Sequence, residues 1–419
     1  MIKIIKSTEE ILKRSQEISE EIQQTTKEII SKVRAEGDAA LFHYGEKFDK
    51  IKLDSLSVTK EEMAAAMKRI SPEFLDTIQK AMKNIENFHK NQVQRGFIVE
   101  DEGIILGQKV TPIEKVGIYV PGGKAVYPST VLMNVIPAKL AGVKEITLVS
   151  PPQSDGTIAD GILACAHLLE IDTFYKIGGA SAVAALAYGT ETVGKVYKIT
   201  GPGNAFVAAA KKQVFGEVDI DMIAGPSEIL IVADHTANPR IVAGDLLSQA
   251  EHDPLASSIL VTTSQDLANN VQKELEAQLS QLSRRDICRQ SIDDNSYILV
   301  AKTIQECLDI SNEIAPEHLE LMVEHPLELL PSVQNAGSIF LGHNTPEALG
   351  DYFAGVNHTL PTNGTAKFSS ALSVDTFVKK STFLHYSKEA LQTTSEHVVR
   401  FAQEEGLEAH GKSVSNRFE

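Results

Sequence analysis

The residues best suited to chemistry lie in a few short stretches. Asp245-Leu-Leu-Ser-Gln-Ala-Glu-His252 reads as the end of an amphipathic helix, with Leu246, Leu247 and Ala250 toward a core and Gln249 and His252 three residues apart on one face. A histidine with an oxygen donor one turn away is half a site for a divalent metal, although a polar helix end with a hydrogen-bonded histidine has the same pattern. Gly350-Asp-Tyr-Phe-Ala-Gly-Val-Asn-His358 sets an acid and a histidine in a glycine-hinged loop. Asp351 could be an anionic ligand for the same metal, and His358 could bind substrate or be solvated. Ala315-Pro-Glu-His-Leu-Glu320 places Glu317 and His318 side by side behind a proline. Neighbouring acid and base side chains offer one group for each of two proton transfers, with histidine titrating near neutrality. Adjacent Glu–His pairs are also common on helix surfaces. None of this is H-E-x-x-H, so a thermolysin-like hydrolase is not supported.

Three further stretches sit at turns, and two tail residues join them. Gly201-Pro-Gly-Asn204 joins a strand to a helix, where glycines permit close backbone approach to a phosphate, or simply a tight turn. The six-residue G-x-G-x-x-G dinucleotide fingerprint is absent from the chain. Tyr119-Val-Pro-Gly-Gly123 ends a strand with a glycine turn, where open α/β sheets bind ligands; Tyr119 could equally be a half-buried strand aromatic. Ala224-Gly-Pro-Ser-Glu228 holds Ser227 in a rigid turn before a strand, a setting for substrate hydrogen bonding, or simply a turn, rather than for a hydrolase nucleophile. Glu405 and His410 close the helical tail.

These positions need a scaffold, and the chain supplies an alternating one. Residues 7–92 read as helix after helix, with capping signals at Ser7/Glu10, Thr59/Glu62 and Ser71-Pro72 and a break at Gly37-Asp38. From about residue 104, β-rich runs (104–110, 116–120, 146–150, 173–177, 196–200) alternate with helical patterns, and a second series follows (229–233, 259–263, 297–300, 338–341). This predicts an α/β protein with two Rossmann-like, doubly wound domains, an N-terminal helical arm and a small helical C-terminal tail. The expected borders are 1–103 for the arm, 104–225 and 226–365 for the two α/β domains, and 366–419 for the tail.

Composition excludes other classes. A length of 419 residues calls for at least two cores. The net charge of −16 argues against general binding to nucleic acid or anionic membranes, which needs concentrated Lys and Arg. Cys165, Cys288 and Cys307 are far apart and in no C-x-x-C pattern, which fits a reducing compartment. The start Met1-Ile-Lys-Ile-Ile-Lys6 has no apolar signal region, and no apolar run nears the roughly 18 residues that span a bilayer. A cytoplasmic location is expected.

Taken together, GPGNAFVAAAK, AGPSEILIVAD, DLLSQAEH, APEHLEL, GSIFLG, TPEALGDYFAGVNHTLPT and EEGLEAH closely resemble the histidinol dehydrogenase family, in order and over nearly the whole chain. The resemblance implies a zinc-dependent homodimer that oxidises L-histidinol through L-histidinal to L-histidine with two NAD+. It also implies Gln249, His252, Asp351 and His410 as zinc ligands, and Glu317 and His318 as the acid–base pair. Ser227, His358 and Glu405 match substrate-binding positions, joined by Gln249, His252, His318, Asp351 and His410. Tyr119, Ser181 and Asn204 fall at NAD contacts. The family commonly has glutamine at the position of Ser181; serine is too short for the same reach, so that NAD contact is expected to differ. The resemblance further implies that the C-terminal segment crosses to the neighbouring subunit, so Glu405 and His410 would complete the partner's site. A zinc hydrolase using Glu317, or a non-catalytic binding protein, would be the competing classes. The first lacks its motif, and the second would have lost ligand or acid–base residues that are all present.

Overall fold

The computed structural model of the chain describes residues 2–12, 18–122 and 126–419. Gly123, which closes the turn after Tyr119, and Met1 lie outside the described residues. The chain divides into two units: Met1–Gln92 with Glu114–Phe377, and Val93–Ile113 with Val378–Glu419. The strands are β1 (Lys3–Ile5), β2 (Phe97–Asp101), β3 (Ile104–Pro112), β4 (Lys115–Tyr119), β5 (Glu145–Val149), β6 (Thr173–Tyr175) and β7 (Lys198–Thr200). There follow β8 (Asp219–Ile220), β9 (Glu228–Ala233), β10 (Ser257–Thr262), β11 (Tyr297–Val300), β12 (His318–Met322), β13 (Ser338–Leu341) and β14 (Val378–Tyr386).

The first unit holds two parallel sheets, ordered β6-β5-β4-β7-β8 and β1-β11-β10-β9-β12-β13. Leaving β1 aside, both wind the same way. Three strands are laid out to one side, then the chain returns past the first and adds two on the other side. Each sheet therefore has one switch point, between β4 and β7 in the first and between β9 and β12 in the second. Parallel strands covered on both faces must be apolar throughout, which is why β9 reads Glu-Ile-Leu-Ile-Val-Ala. Ile229 and Ile231 join one core with Val242 and Leu246 of the helix Pro239–Ala250. Leu230 and Val232 join the opposite core with Cys307 and Leu308. Each such buried side chain contributes about 1.5–3 kcal/mol. The three cysteines are free and buried.

Two of the N-terminal capping signals are used as read, while Ser7 accepts from the Glu9 N–H. Thr59 and Glu62 form a reciprocal capping box, Ser71 accepts from the Phe74 N–H ahead of Pro72, and the helix Glu20–Glu36 stops at Gly37. Ile29, Ile30, Val33 and Leu41 share a core with the helix Gly179–Tyr188, so this arm packs on the first sheet's domain.

The strand content departs from the sequence reading at six places, two of them, the short β8 and the site strand β12, not read as strands at all. Residues 3–5, read as leading into the helical arm, form the edge strand β1 beside β11. Residues 97–101, read within the arm, are β2. Residues 104–110 were expected to open the first α/β domain, yet β3 lies in an antiparallel sheet ordered β14-β3-β2. The cause is local: β2 and β3 are separated only by the tight turn Glu102-Gly103, which permits no parallel crossover. The tail, expected to be helical, opens with β14 before the helices Lys388–Glu404 and Glu408–Ser415.

Candidate active site

Three simple periodicities converge at the amino-terminal edge of the second sheet. Along the helix Pro239–Ala250, Asp245, Ser248 and Gln249 follow one another at i, i+3 and i+4, with His252 just beyond. Along β12, His318 and Glu320 share one face at i and i+2, the face that carries Met322 into the core with Leu246. Along the helix Glu347–Tyr352, Glu347 and Asp351 align at i and i+4. The Glu–His pair therefore opens a central strand and does not lie on a helix surface. A polar cluster this deep is held by partners on all sides.

Register sets the pair's geometry. His318 pairs with Ile229 across the β9/β12 switch point, which brings the residues preceding both strands together. Glu317 Oε2 accepts the Glu228 N–H at 2.8 Å, and His318 Nδ1 faces the Glu228 carbonyl at 3.0 Å. A carbonyl can only accept, so Nδ1 carries a hydrogen and Nε2 is left to face Asp351 Oδ1 at 3.3 Å. Ser227 directly precedes this junction, and its carbonyl accepts from the Ser257 N–H at the start of β10. His358 Nδ1 sits 3.0 Å from the Asp351 carbonyl and Nε2 sits 3.3 Å from the Thr130 hydroxyl.

Burial and charge divide these groups by protonation. Burial pushes the Glu317 carboxyl up to about 8. For His318 burial works downward, but the carboxyls of Glu317, Glu347 and Asp351 outweigh it and hold the imidazole well above its ordinary value. Burial would raise Asp351, yet the hydrogen bond and charge of His318, with the charges of His358 and His252, keep it below the ordinary carboxylate value. Burial lowers both His252 and His358. His252 is thus a neutral nitrogen donor beside an ionised carboxylate, the states that metal ligands need.

The donor atoms of His252, Glu347 and Asp351 lie within 4.8 Å of one another. With Gln249 one turn before His252, this nitrogen-and-oxygen set fits a zinc-like divalent cation. Asp245 and Glu320 lie behind it, both raised by burial, with a hydrogen bond to Glu320 pulling Asp245 back to about 6.

The proposed NAD residues gather at the opposite kind of edge, the carboxyl ends of the first sheet. Tyr119 ends β4, and its hydroxyl accepts the Gly179 N–H at 3.1 Å. Burial raises that phenol to about 12. Ser181 stands in the first turn of the helix Gly179–Tyr188, where its hydroxyl donates to the Gly178 carbonyl at 2.8 Å. A small cavity of about 10 Å³ opens beside it, bounded by Asp49, Lys176, Gly178 and Ser181 among others. Asn204 caps the helix Ala205–Val214, accepting from the Phe206 and Val207 N–H groups. The loop before it is held from beneath: Lys211 pairs with Asp221 in a fully buried ion pair and donates to the Gly201 carbonyl at 3.0 Å, while Asp221 accepts the Gly201 N–H at 2.8 Å. Gly201 is obligatory, since at φ +104° a Cβ would lie 2.1 Å from the Tyr119 carbonyl oxygen.

Glu405 and His410 belong to the second unit, where both are exposed. Glu405 ends the helix Lys388–Glu404, and His410 lies in the first turn of Glu408–Ser415.

The family model for histidinol dehydrogenase matches residues 12–418. The chain belongs to the histidinol dehydrogenase family. It is therefore an oxidoreductase of histidine biosynthesis. Among its relatives, the histidinol dehydrogenase of Clostridium acetobutylicum is 53% identical over 399 residues, 95% of this chain and 93% of that one. That of Geobacillus kaustophilus is 54% identical over 402 residues, 96% and 95% of the two chains. The crystal structure of histidinol dehydrogenase from Elizabethkingia anophelis superposes with a TM-score of 0.95 at 42% identity, covering 100% of this chain and 98% of that one.

Within this member of the family, the sequence reading left three acids without a role: the half-buried Asp245 and the buried Glu320 and Glu347. Two of them carry a signal that could have found them. Asp245 precedes Gln249, and Glu347 precedes Asp351, by the four residues that set side chains on one helical face. Glu320 was hidden because β12 was not recognised as a strand.

Proposed function

We propose that this chain is a metal-dependent histidinol dehydrogenase that oxidises L-histidinol through L-histidinal to L-histidine with two NAD+, the last step of histidine biosynthesis. The observation that carries the reading is the junction of Glu317 and His318 at the β9/β12 switch point, next to the donor set of His252 and Asp351. Gln249, His252 and Asp351, with His410 of a second copy, would hold zinc. That ion has no redox part and supplies a positive charge that orients the substrate's amine and imidazole nitrogens. Tyr119, Ser181 and Asn204 would hold NAD+, which would supply the hydride acceptor for each of the two oxidations.

The remaining chemistry belongs to the chain. In its neutral form, reached above its raised titration, His318 takes the alcohol proton through Nε2, because Nδ1 is committed to the Glu228 carbonyl. Glu317 takes a proton from the water that adds to the aldehyde while His318 returns its proton to the aldehyde oxygen, and His318 is then free to take the proton released as the hydrate is oxidised. Ser227, His358 and Glu405 hold substrate. The intermediate aldehyde must be kept from bulk water, a task suited to the 350–358 loop.

The test is NADH formed per L-histidinol consumed, before and after chelation. Two NADH per substrate, lost with chelator and regained with zinc, are expected. One NADH would mean that the aldehyde escapes and that Glu317 has another task.

The same reading makes the active form a homodimer in which Glu405 and His410 reach the neighbouring site. The second unit carries exposed apolar side chains suited to burial in such a contact, with Leu384 70% and Phe401 73% exposed. Dilution followed by sedimentation and metal analysis is expected to show zinc and turnover lost together as subunits part. A fully active monomer would overturn it. Among the described residues no helix is long and apolar enough to cross a membrane; we assign the enzyme to the cytoplasm.

A further inference from the structure

Glu347 has no part in the chemistry above, yet it is only 2% exposed at the start of the helix Glu347–Tyr352. With the Gln249 amide assigned so that its nitrogen faces Glu347, the orientation its hydrogen bonding requires, that nitrogen donates to the two carboxylate oxygens at 2.9 and 2.6 Å, and the Ser248 hydroxyl donates to Oε1 at 3.2 Å. The Glu347 N–H is bound in turn by Glu320 Oε1 at 2.8 Å. A buried carboxylate held by neutral amide and hydroxyl donors is costly unless something else repays it. Its oxygens also lie among the donor atoms of His252 and Asp351.

A glutamine amide has a donating end and an accepting end, and only the accepting oxygen can bind a cation. Turning the Gln249 amide over would press its oxygen against two carboxylate oxygens. In its ionised form, which a nearby cation favours against the burial that raises it to about 8, Glu347 therefore removes one of the two orientations. Glutamine is a neutral and weak metal donor on a flexible stem, so its value as a ligand depends on being held.

We propose that Glu347 is a positioning residue of the metal centre: by taking the Gln249 amide hydrogens it turns the Gln249 carbonyl oxygen toward a divalent cation shared with His252 and Asp351. This rests on the metal reading given above. Outer partners of metal ligands typically set about 10–100-fold of the affinity.

The experiment is a double-mutant cycle on the full-length protein: wild type, Q249A, E347A and the double variant. Zinc affinity is read by competition with a chromophoric chelator, and the ligand field by the visible spectrum after cobalt(II) substitution. E347A is expected to weaken zinc about 10–100-fold. In the Q249A background the same change should cost almost nothing, because no amide remains to orient. The cobalt spectrum of E347A should approach that of Q249A. Losses that simply add would make Glu347 an independent ligand and overturn the proposal, as would an E347A protein with wild-type affinity and spectrum. If E347A does not fold, judged by thermal melting, E347Q takes its place in the cycle. A wild-type protein that holds no zinc sinks the metal reading itself and this proposal with it, an outcome distinct from a zinc-binding wild type with an indifferent E347A.

Discussion

Glu317→Gln is expected to cut the reaction in half. The amide keeps the size and the acceptor oxygen that meets the Glu228 N–H, but it takes no proton from water. The first NADH should still form, while oxidation of the aldehyde slows by about 10²–10⁴-fold, the usual worth of a general base. The ratio of NADH to L-histidinol then falls from two toward one, and a carbonyl-trapping reagent should capture L-histidinal. Burial holds the wild-type carboxyl at about 8 and only its ionised form is a base, so aldehyde oxidation should rise with pH through about 8. That rise should vanish in E317Q. Stability runs the other way. The folded value lies above the ordinary 4.5, so the neutral acid's contribution is complete below about 4.5 and is lost as pH rises through about 8. The melting temperature of the metal-free wild type should fall across that window more than that of E317Q. Equal slowing of both oxidations in E317Q would instead mean that Glu317 only positions its neighbours.

Asp351→Asn should have the second large effect, because one carboxylate serves two neighbours. It faces His318 Nε2 at 3.3 Å and belongs to the donor group with His252. Asparagine is nearly the same shape but uncharged. Zinc affinity should drop by more than the about 10–100-fold attached to an outer partner, and turnover should fall with it. His318 loses one of the carboxylates that raise it, so its titration should move to lower pH. Metal analysis and the imidazole resonances of His318 check both halves. Stoichiometric zinc with an unmoved titration would refute the assignment.

The sequence revealed the α/β class because parallel strands buried on both faces have to be apolar runs, and β9, β10 and β11 are. The same rule concealed β12. His318 and Glu320 interrupt its apolar run because the strand carries the candidate site, and tertiary partners supplied by Glu228, Asp351 and Glu347 make those polar residues tolerable there. Single ligand-type residues were legible from local spacing: Gln249 with His252, Asp351 before His358. Their convergence was legible chiefly through the family resemblance, since it depends on a strand register and on two helices far apart in the chain. Ser181 was legible as a departure, and its hydroxyl is turned onto its own turn. β1 and β14 had little local signal, because their partners lie hundreds of residues away.

The antiparallel sheet of the second unit has a consequence for how the chain is made. β2 and β3 are translated as a hairpin, yet the other edge of β3 is meant for β14, from Tyr386 opposite Ile104 to Val378 opposite Pro112. Even the side-chain fit waits: Gly107 leaves the space that the Phe383 ring fills, and a Cβ there would lie 2.2 Å from it. At about 5–20 residues per second, the intervening stretch takes roughly 10–50 s to synthesise. Throughout that interval the nascent polypeptide carries an open strand edge, the kind of surface that recruits other chains. Emergence of β14 from the ribosome closes that edge of β3, so a polypeptide stalled before residue 378 keeps it open while a finished one pairs it.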